Sequence, residues 1–256
     1  MSFMGNDATV IALTGKGGVG KTSISAASVR ILTERKPDAK ILAIDADPAV
    51  GLSTALGVTV EETLDDIRLR VANDVTGNLK NTEDILAEAK FRLLEAMKER
   101  GDFAFLAIGR PEAEGCYCAI NSYLRNVIGM LVKDFDYVII DGEAGIEQIN
   151  RRVMDKVTHL LLVSDQSRKG LQIIGTIKDV SDKMMMCDKC GVIVNRAMAP
   201  EKIDFTDIHG APLLNVIGPD DTLTEMDMDG KSIFEIPSDT ILLTGVTKAL
   251  ENMGII

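Results

Sequence analysis

The chain has 256 residues, 46% of them hydrophobic and 26% charged, with 28 Lys and Arg against 39 Asp and Glu for a formal net charge of −11. That usage is globular rather than disordered. The acidic balance, without a block of Lys or Arg, argues against a nucleic-acid partner, and no apolar run reaches the roughly 18 residues of a membrane span. The stretch Met1 to Val10 has neither a basic region nor a long apolar segment, so the expected address is cytoplasmic. Four cysteines in a reducing compartment point to metal or redox chemistry rather than structural disulfides.

The first apolar, β-branched run, Ala8 to Thr14, reads as a buried strand. It runs directly into Gly15-Lys16-Gly17-Gly18-Val19-Gly20-Lys21-Thr22-Ser23, and a helix pattern starts at once. This is a Walker A loop in its proper strand-loop-helix setting. Its glycines let successive N–H groups face phosphates, Lys21 is expected at the β and γ groups, and Thr22 at magnesium. A second strand, Lys40 to Asp45, leads to Ala46-Asp47-Pro48. A helix follows with Ile85, Leu86, Ala89, Leu93, Leu94 and Met97 on one face, and then a strand over Phe103 to Ile108. Gly115-Cys116-Tyr117-Cys118 precedes another helix marked by Ile120, Leu124, Val127, Ile128 and Leu131.

The fourth strand, Tyr137 to Asp141, ends at Gly142-Glu143-Ala144-Gly145. Further strands are expected at His159 to Ser164, Gly191 to Asn195 and Leu213 to Gly218. Alternating strands and helices predict a single α/β domain over residues 1–256. Its mostly parallel sheet of about seven or eight strands is covered on both faces, and the ligand lies beyond the strands' carboxyl ends.

Cys116 and Cys118 supply two thiolates where a closed zinc site wants four ligands, so a two-fold axis pooling two copies completes the set most simply. Nickel or zinc suits such thiolates. Cys187 and Cys190 form a second pair that could bind metal separately, join the first pair or act as a dithiol. Met184, Met185 and Met186 before it read mainly as packing residues. His159 and His209 stand too isolated to be ligands, the first at a strand edge and the second on a loop surface.

Lys16, directly after the first glycine, resembles the deviant Walker A of the family that includes nitrogenase iron protein, cell-division positioning ATPases and metal-insertion ATPases. The resemblance implies that Lys16 crosses a two-fold interface to the partner's nucleotide, giving a nucleotide-dependent homodimer. It further implies that Asp47 in switch I orients the attacking water and joins Asp141, the Walker B aspartate, in holding Mg2+, and that Asn195 and Arg196, with Pro237-Ser238-Asp239 as a second wall, contact adenine. ATP and ADP are the implied nucleotides.

The deviant loop, Asp45-Ala46-Asp47-Pro48, Gly115-Cys116-Tyr117-Cys118 and Asp141-Gly142-Glu143-Ala144-Gly145-Ile146-Glu147 followed by Arg152 together resemble the CooC-type accessory ATPases that assist nickel insertion into carbon monoxide dehydrogenase. The implied protein is a dimeric ATPase whose interfacial cysteines hold Ni2+ or Zn2+ for a client metalloenzyme. Gln148 stands where that family commonly has His, which removes a titratable ligand and leaves room for a related client. Two alternatives share the phosphate chemistry: a spatial-organisation ATPase of the MinD and ParA type, and an iron-sulfur carrier of the nitrogenase iron protein type.

Overall fold

The computed structural model describes residues 8–76, 82–109, 118–143, 156–184 and 186–256, together with positions 145, 149, 153 and 154. Eight strands form one sheet: β1 (Thr9–Gly15), β2 (Ile41–Asp45), β3 (Lys98–Arg100), β4 (Phe103–Ala107), β5 (Tyr137–Asp141), β6 (Val157–Ser164), β7 (Cys187–Val194) and β8 (Leu213–Val216). Their order across the sheet is β3-β4-β2-β5-β1-β6-β7-β8, parallel except for β3. All seven predicted strands form.

The eighth strand, β3, was not expected. Lys98, Glu99 and Arg100 carry no apolar alternation, and they pair with β4 only because Gly101 and Asp102 turn the chain back as a hairpin. Charges on this short edge strand discourage further pairing.

The helices are α1 (Lys21–Arg35), α2 (Gly51–Leu56), α3 (Leu64–Thr76), α4 (Thr82–Ala96), α5 (Cys118–Leu131), α6 (Arg168–Met184), α7 (Asp221–Asp229) and α8 (Ile241–Met253). Successive strand residues point to opposite faces, which splits the core in two. Val10 and Ala12 of β1 pack with Ile67, Leu93, Leu124 and Leu171 of α3 to α6. Ile11 and Leu13 pack with α1, α2, α7 and α8 through residues such as Ile24, Leu52, Leu223 and Leu250. Strands covered on both sides must be apolar at nearly every position, and this is why they read as continuous hydrophobic runs.

The apolar stripe expected on α4 is narrower than its sequence pattern. Leu93 is fully buried, but Leu94 is 41% exposed, because a residue one step along a helix turns by about 100° and leaves the core side. His159, expected at a strand edge, lies within the central strand β6. His209 is on a surface loop, as expected, with its Nδ1 2.9 Å from Asp179.

β1 sits between the strands reached by β2 to β5 and those reached by β6 to β8, so its carboxyl end lies where the chain's winding changes direction. Open α/β sheets bind ligands at such a point. β4 is parallel to β2, and α5 runs back from its carboxyl end toward β5, so α5 starts on the same end of the sheet.

Candidate nucleotide site

The phosphate loop forms where β1 meets α1. Gly15 is required by close approach: a Cβ there would lie 1.9 Å from the Val163 carbonyl oxygen of β6. Gly18 and Gly20 take φ of 78° and 90°, the left-handed region that lets the loop curl, and Gly20 caps α1. Gly17, Val19 and Ser23 fall in this loop and first helical turn as the motif predicted, Val19 being buried. Lys21 is buried, and its Nζ donates to the carbonyls of Gly15 at 3.3 Å and Lys16 at 3.2 Å. The ammonium is thus held across the mouth of the loop, and among the described residues no carboxylate forms an ion pair with it, as an anion site needs.

Two carboxylates gather behind the loop. Asp141 and Asp45 are register partners at the ends of β5 and β2. Burial pushes Asp141 up to about 6, against hydrogen bonds from the Thr22 and Ser25 hydroxyls and the nearby Lys21 charge. Burial and then the Asp141 charge push Asp45 up to about 7. Ser25 Oγ donates to Asp141 Oδ1 at 2.9 Å, while Asp141 Oδ2 is buried without a hydrogen-bond partner. An orphaned buried carboxylate oxygen beside a second carboxylate and the Thr22 hydroxyl fits a hard divalent cation with oxygen ligands, such as Mg2+.

The switch segments hang from the same strand ends. Asp45 Oδ1 accepts from the Asp47 N–H at 3.2 Å and Oδ2 from the Leu52 N–H at 2.9 Å. Asp47 in turn accepts from Ala49 N–H at 2.9 Å. Val50 takes φ of 51°, a left-handed conformation costly for a β-branched residue. On the other side, Thr14 Oγ1 donates to the Glu143 carbonyl at 2.9 Å and accepts from Gly145 N–H at 3.0 Å. Two strand ends therefore hold the two loops through short side chains, β2 through Asp45 and β1 through Thr14. Asp45, Ser25 and Thr14 were not singled out from the sequence. A polar residue inside a strand that is otherwise apolar was the available signal for Thr14 and Asp45, and spacing of three from Thr22 along a helix was the signal for Ser25.

Lys16 reaches Asp165, just past the end of β6, with Nζ and Oδ2 2.6 Å apart. Burial works against the Asp165 charge, but hydrogen bonds from Lys16 and Ser167 outweigh it and hold the carboxyl below its usual value. Asn195 and Arg196 pack on the loop from the end of β7. Asn195 is buried and its Nδ2 donates to the Val19 carbonyl at 2.9 Å; Arg196, at φ 57°, donates to the Gly18 carbonyl at 3.3 Å. These bonds brace the phosphate loop.

Beside them is a cleft of about 160 Å³ lined by Asn195, Arg196, Pro219, Asp220, Thr224 and Leu242, among others. Its second wall comes from Gly218-Pro219-Asp220 after β8, where Asp220 caps α7 and accepts from Leu242 N–H. Pro237, with Ser238 and Asp239, is exposed and does not line this cleft. A strand end followed by a helix cap places Pro219 there, whereas Pro237 follows a short 3-10 turn at residues 233–235 that packs beside α1.

Cys116 lies outside the described residues, as do Gln148 and Arg152; Cys118 opens α5, but its side chain is outside them too. Cys187 and Cys190 are both partly buried at the start of β7. Interaction with the Cys190 thiol pulls Cys187 down to about 6 and drives Cys190 up.

Residues 10–233 match the CobQ/CobB/MinD/ParA nucleotide-binding domain. An uncharacterised ATP-binding protein of Methanocaldococcus jannaschii is 31% identical over 253 residues, covering 95% of this chain and 98% of that protein. The carbon monoxide dehydrogenase accessory protein CooC of Rhodospirillum rubrum is 27% identical over 239 residues, covering 88% and 89%. The septum site-determining protein MinD of Pyrococcus horikoshii, solved with Mg-ADP, superimposes with a TM-score of 0.69 at 23% identity over 95% of each chain. The chain is a P-loop ATPase, and it belongs to the CobQ/CobB/MinD/ParA nucleotide-binding family.

Proposed function

We propose that this ATPase is a metallochaperone: a homodimer in which Cys116 and Cys118 of two subunits hold a nickel or zinc ion as cargo for a client such as carbon monoxide dehydrogenase. The observation that carries this reading is the Cys116-x-Cys118 motif of the sequence, together with the position of Cys118, which opens α5 on the same end of the sheet as the phosphate loop. Similarity to the CooC protein along nearly the whole of both chains supports the same assignment.

In this reading Lys21 binds the β and γ phosphates, and Lys16 leaves Asp165 to reach the partner's nucleotide. Asp47 orients the attacking water, and Asn195 and Arg196 meet the base through the face not spent on the phosphate loop. Thr22 and Asp141 would hold Mg2+, which when bound neutralises charge on the phosphates. The raised Asp141 and Asp45 carboxyls hold protons more readily than free ones, so a cation arriving there displaces protons as well as relieving repulsion.

The fold is shared with a septum site-determining protein, and so a spatial-organisation role is the second reading. Such a role needs an apolar helix face free for lipid or a basic surface for DNA. In α8 the apolar residues Leu242, Leu243, Val246, Leu250 and Met253 are all buried in the core. That favours the metal carrier.

Elemental analysis combined with mass in solution, with ATP and with ADP, tests the proposal. About one nickel or zinc per dimer is expected, lost in Cys116→Ser/Cys118→Ser while ATP hydrolysis persists. Equal metal in the double variant overturns it; sedimentation with lipid or DNA that depends on ATP would favour the second reading.

A further inference from the structure

Away from the nucleotide site, chemistry-bearing side chains converge at the amino end of β7. Cys187 and Cys190 are three residues apart in an extended strand, held in register against Val157 and Leu160 of β6. Residues so spaced normally face opposite sides of a sheet. Here both pack against the same half of the core, beside buried Met186, and their side chains interact. Ser181 Oγ of α6 lies 3.2 Å from Cys187 Sγ, and Lys178, ion-paired with Asp182 one turn on, faces both sulfurs.

A disulfide fits this backbone poorly. At roughly 3.3 Å per residue the two Cα atoms stand about 10 Å apart, beyond the ~7 Å limit for an S–S bond. An ion between the sulfurs relaxes that demand, since two metal-sulfur bonds of about 2.3 Å separate the sulfurs by up to ~4.6 Å. Zinc asks for four ligands, and among the described residues no third His, Cys, Asp or Glu joins the pair in a metal-binding cluster. Two soft ligands without a third suit a soft monovalent ion. Two thiolates and one such ion carry a net −1; Lys178 faces that charge, and because its ion-pair partner Asp182 also faces the sulfurs, the pair offsets it only in part.

We propose that Cys187 and Cys190 form a two-coordinate site for Cu(I), present in each chain and independent of the nucleotide and of the Cys116/Cys118 pair. Binding is ligand exchange: each thiol still protonated releases its proton as the ion leaves its carrier, and no electron is transferred. Asn195 lies five residues beyond Cys190, about 16 Å along the strand, so the ion does not touch the ATP site.

The test uses the full chain as Cys116→Ser/Cys118→Ser, without oxygen, titrated with the Cu(I)-bicinchoninate complex. One Cu(I) per chain should be withdrawn from the chelator, with sulfur as its only neighbour by X-ray absorption. Adding Cys187→Ser or, separately, Cys190→Ser should abolish withdrawal while ATP binding, read in parallel, shows the chain still folded. Lys178→Met should weaken affinity about tenfold, in the range for residues that support a metal's ligands. Equal withdrawal by the variants with and without Cys187 and Cys190 overturns the proposal. So does a Cys187–Cys190 disulfide formed readily with oxidised glutathione, since the backbone would then not hold the sulfurs apart.

Discussion

Asp141 and Asp165 close the two strands that flank β1, yet they live under opposite electrostatics. Asp141 is almost wholly buried, keeps one oxygen without a partner and is pushed up to about 6 by burial. Asp165 is a third exposed, bonded to Lys16 and Ser167, and held below its usual value. The phosphate loop thus has an unsatisfied acid on one side and a satisfied one on the other. The first is built to receive a cation from outside; the second already holds one that the chain itself supplies.

The widest separation between the two acids is expected in catalysis. Asp141→Asn should lower ATP hydrolysis by at least ~100-fold, the scale of losing one electrostatic stabiliser, whereas Asp165→Asn should leave turnover per bound nucleotide within a few-fold. Similar turnover for both variants under saturating ATP and magnesium would erase the distinction. Asp47→Asn should follow, with hydrolysis down about 100-fold and nucleotide affinity retained by equilibrium titration, the pattern that the proposed water-positioning role requires.

The pH dependence of stability should differ in sign. The raised groups Asp45 and Asp141 bind more protons folded than unfolded, so their contribution is greatest at low pH and declines as pH climbs from 3.8 to about 7. For Asp141 alone, a shift from 3.8 to about 6 is on the order of 3 kcal/mol. Nucleotide-free Asp141→Asn should therefore melt higher than the parent above that window, by about 2–4 °C per kcal/mol, and the gain should vanish toward its acid end. Asp165, with a lowered value, contributes stability above 3.8 that is lost as pH falls through its folded value. Thermal melts across that range with magnesium withheld give both slopes.

The smallest effect belongs to the Lys16–Asp165 pair. Breaking it with Asp165→Asn should change stability by under ~1 kcal/mol, because both side chains are about a third exposed and solvent screens them. Lys16→Ala should do no more to the monomer, but should reduce ATP-dependent dimer in sedimentation experiments. A monomer destabilised well beyond that figure by either change would mean that the pair is structural.

Much of the nucleotide site is written locally. Gly15 to Thr22 needs only consecutive residues to curl a loop, which sets Lys21 and Thr22 at the start of α1, and Asp141 follows from its strand-end position. Asp45 was legible only as a polar interruption, and Ser25 only by its spacing from Thr22. Their roles arise from contact between β2, β5 and α1, which are far apart along the chain. Pro237 was the natural partner for Asn195 by resemblance, and the cleft instead closes with Pro219, because β8 brings its own carboxyl end beside β7. The β3 hairpin escaped for the opposite reason: three charged residues carry no pattern, and only the turn at Gly101 reveals them.

By itself the sequence determined the fold class, the phosphate chemistry and seven of the eight strands, since each depends on short-range periodicity or on a contiguous motif. Tertiary structure alone decided which buried acid keeps an oxygen without a hydrogen-bond partner, where Lys16 rests and which side of the sheet Cys187 and Cys190 share. Those outcomes depend on solvent exclusion and on the register of strands brought together across more than a hundred residues, and no local pattern encodes either.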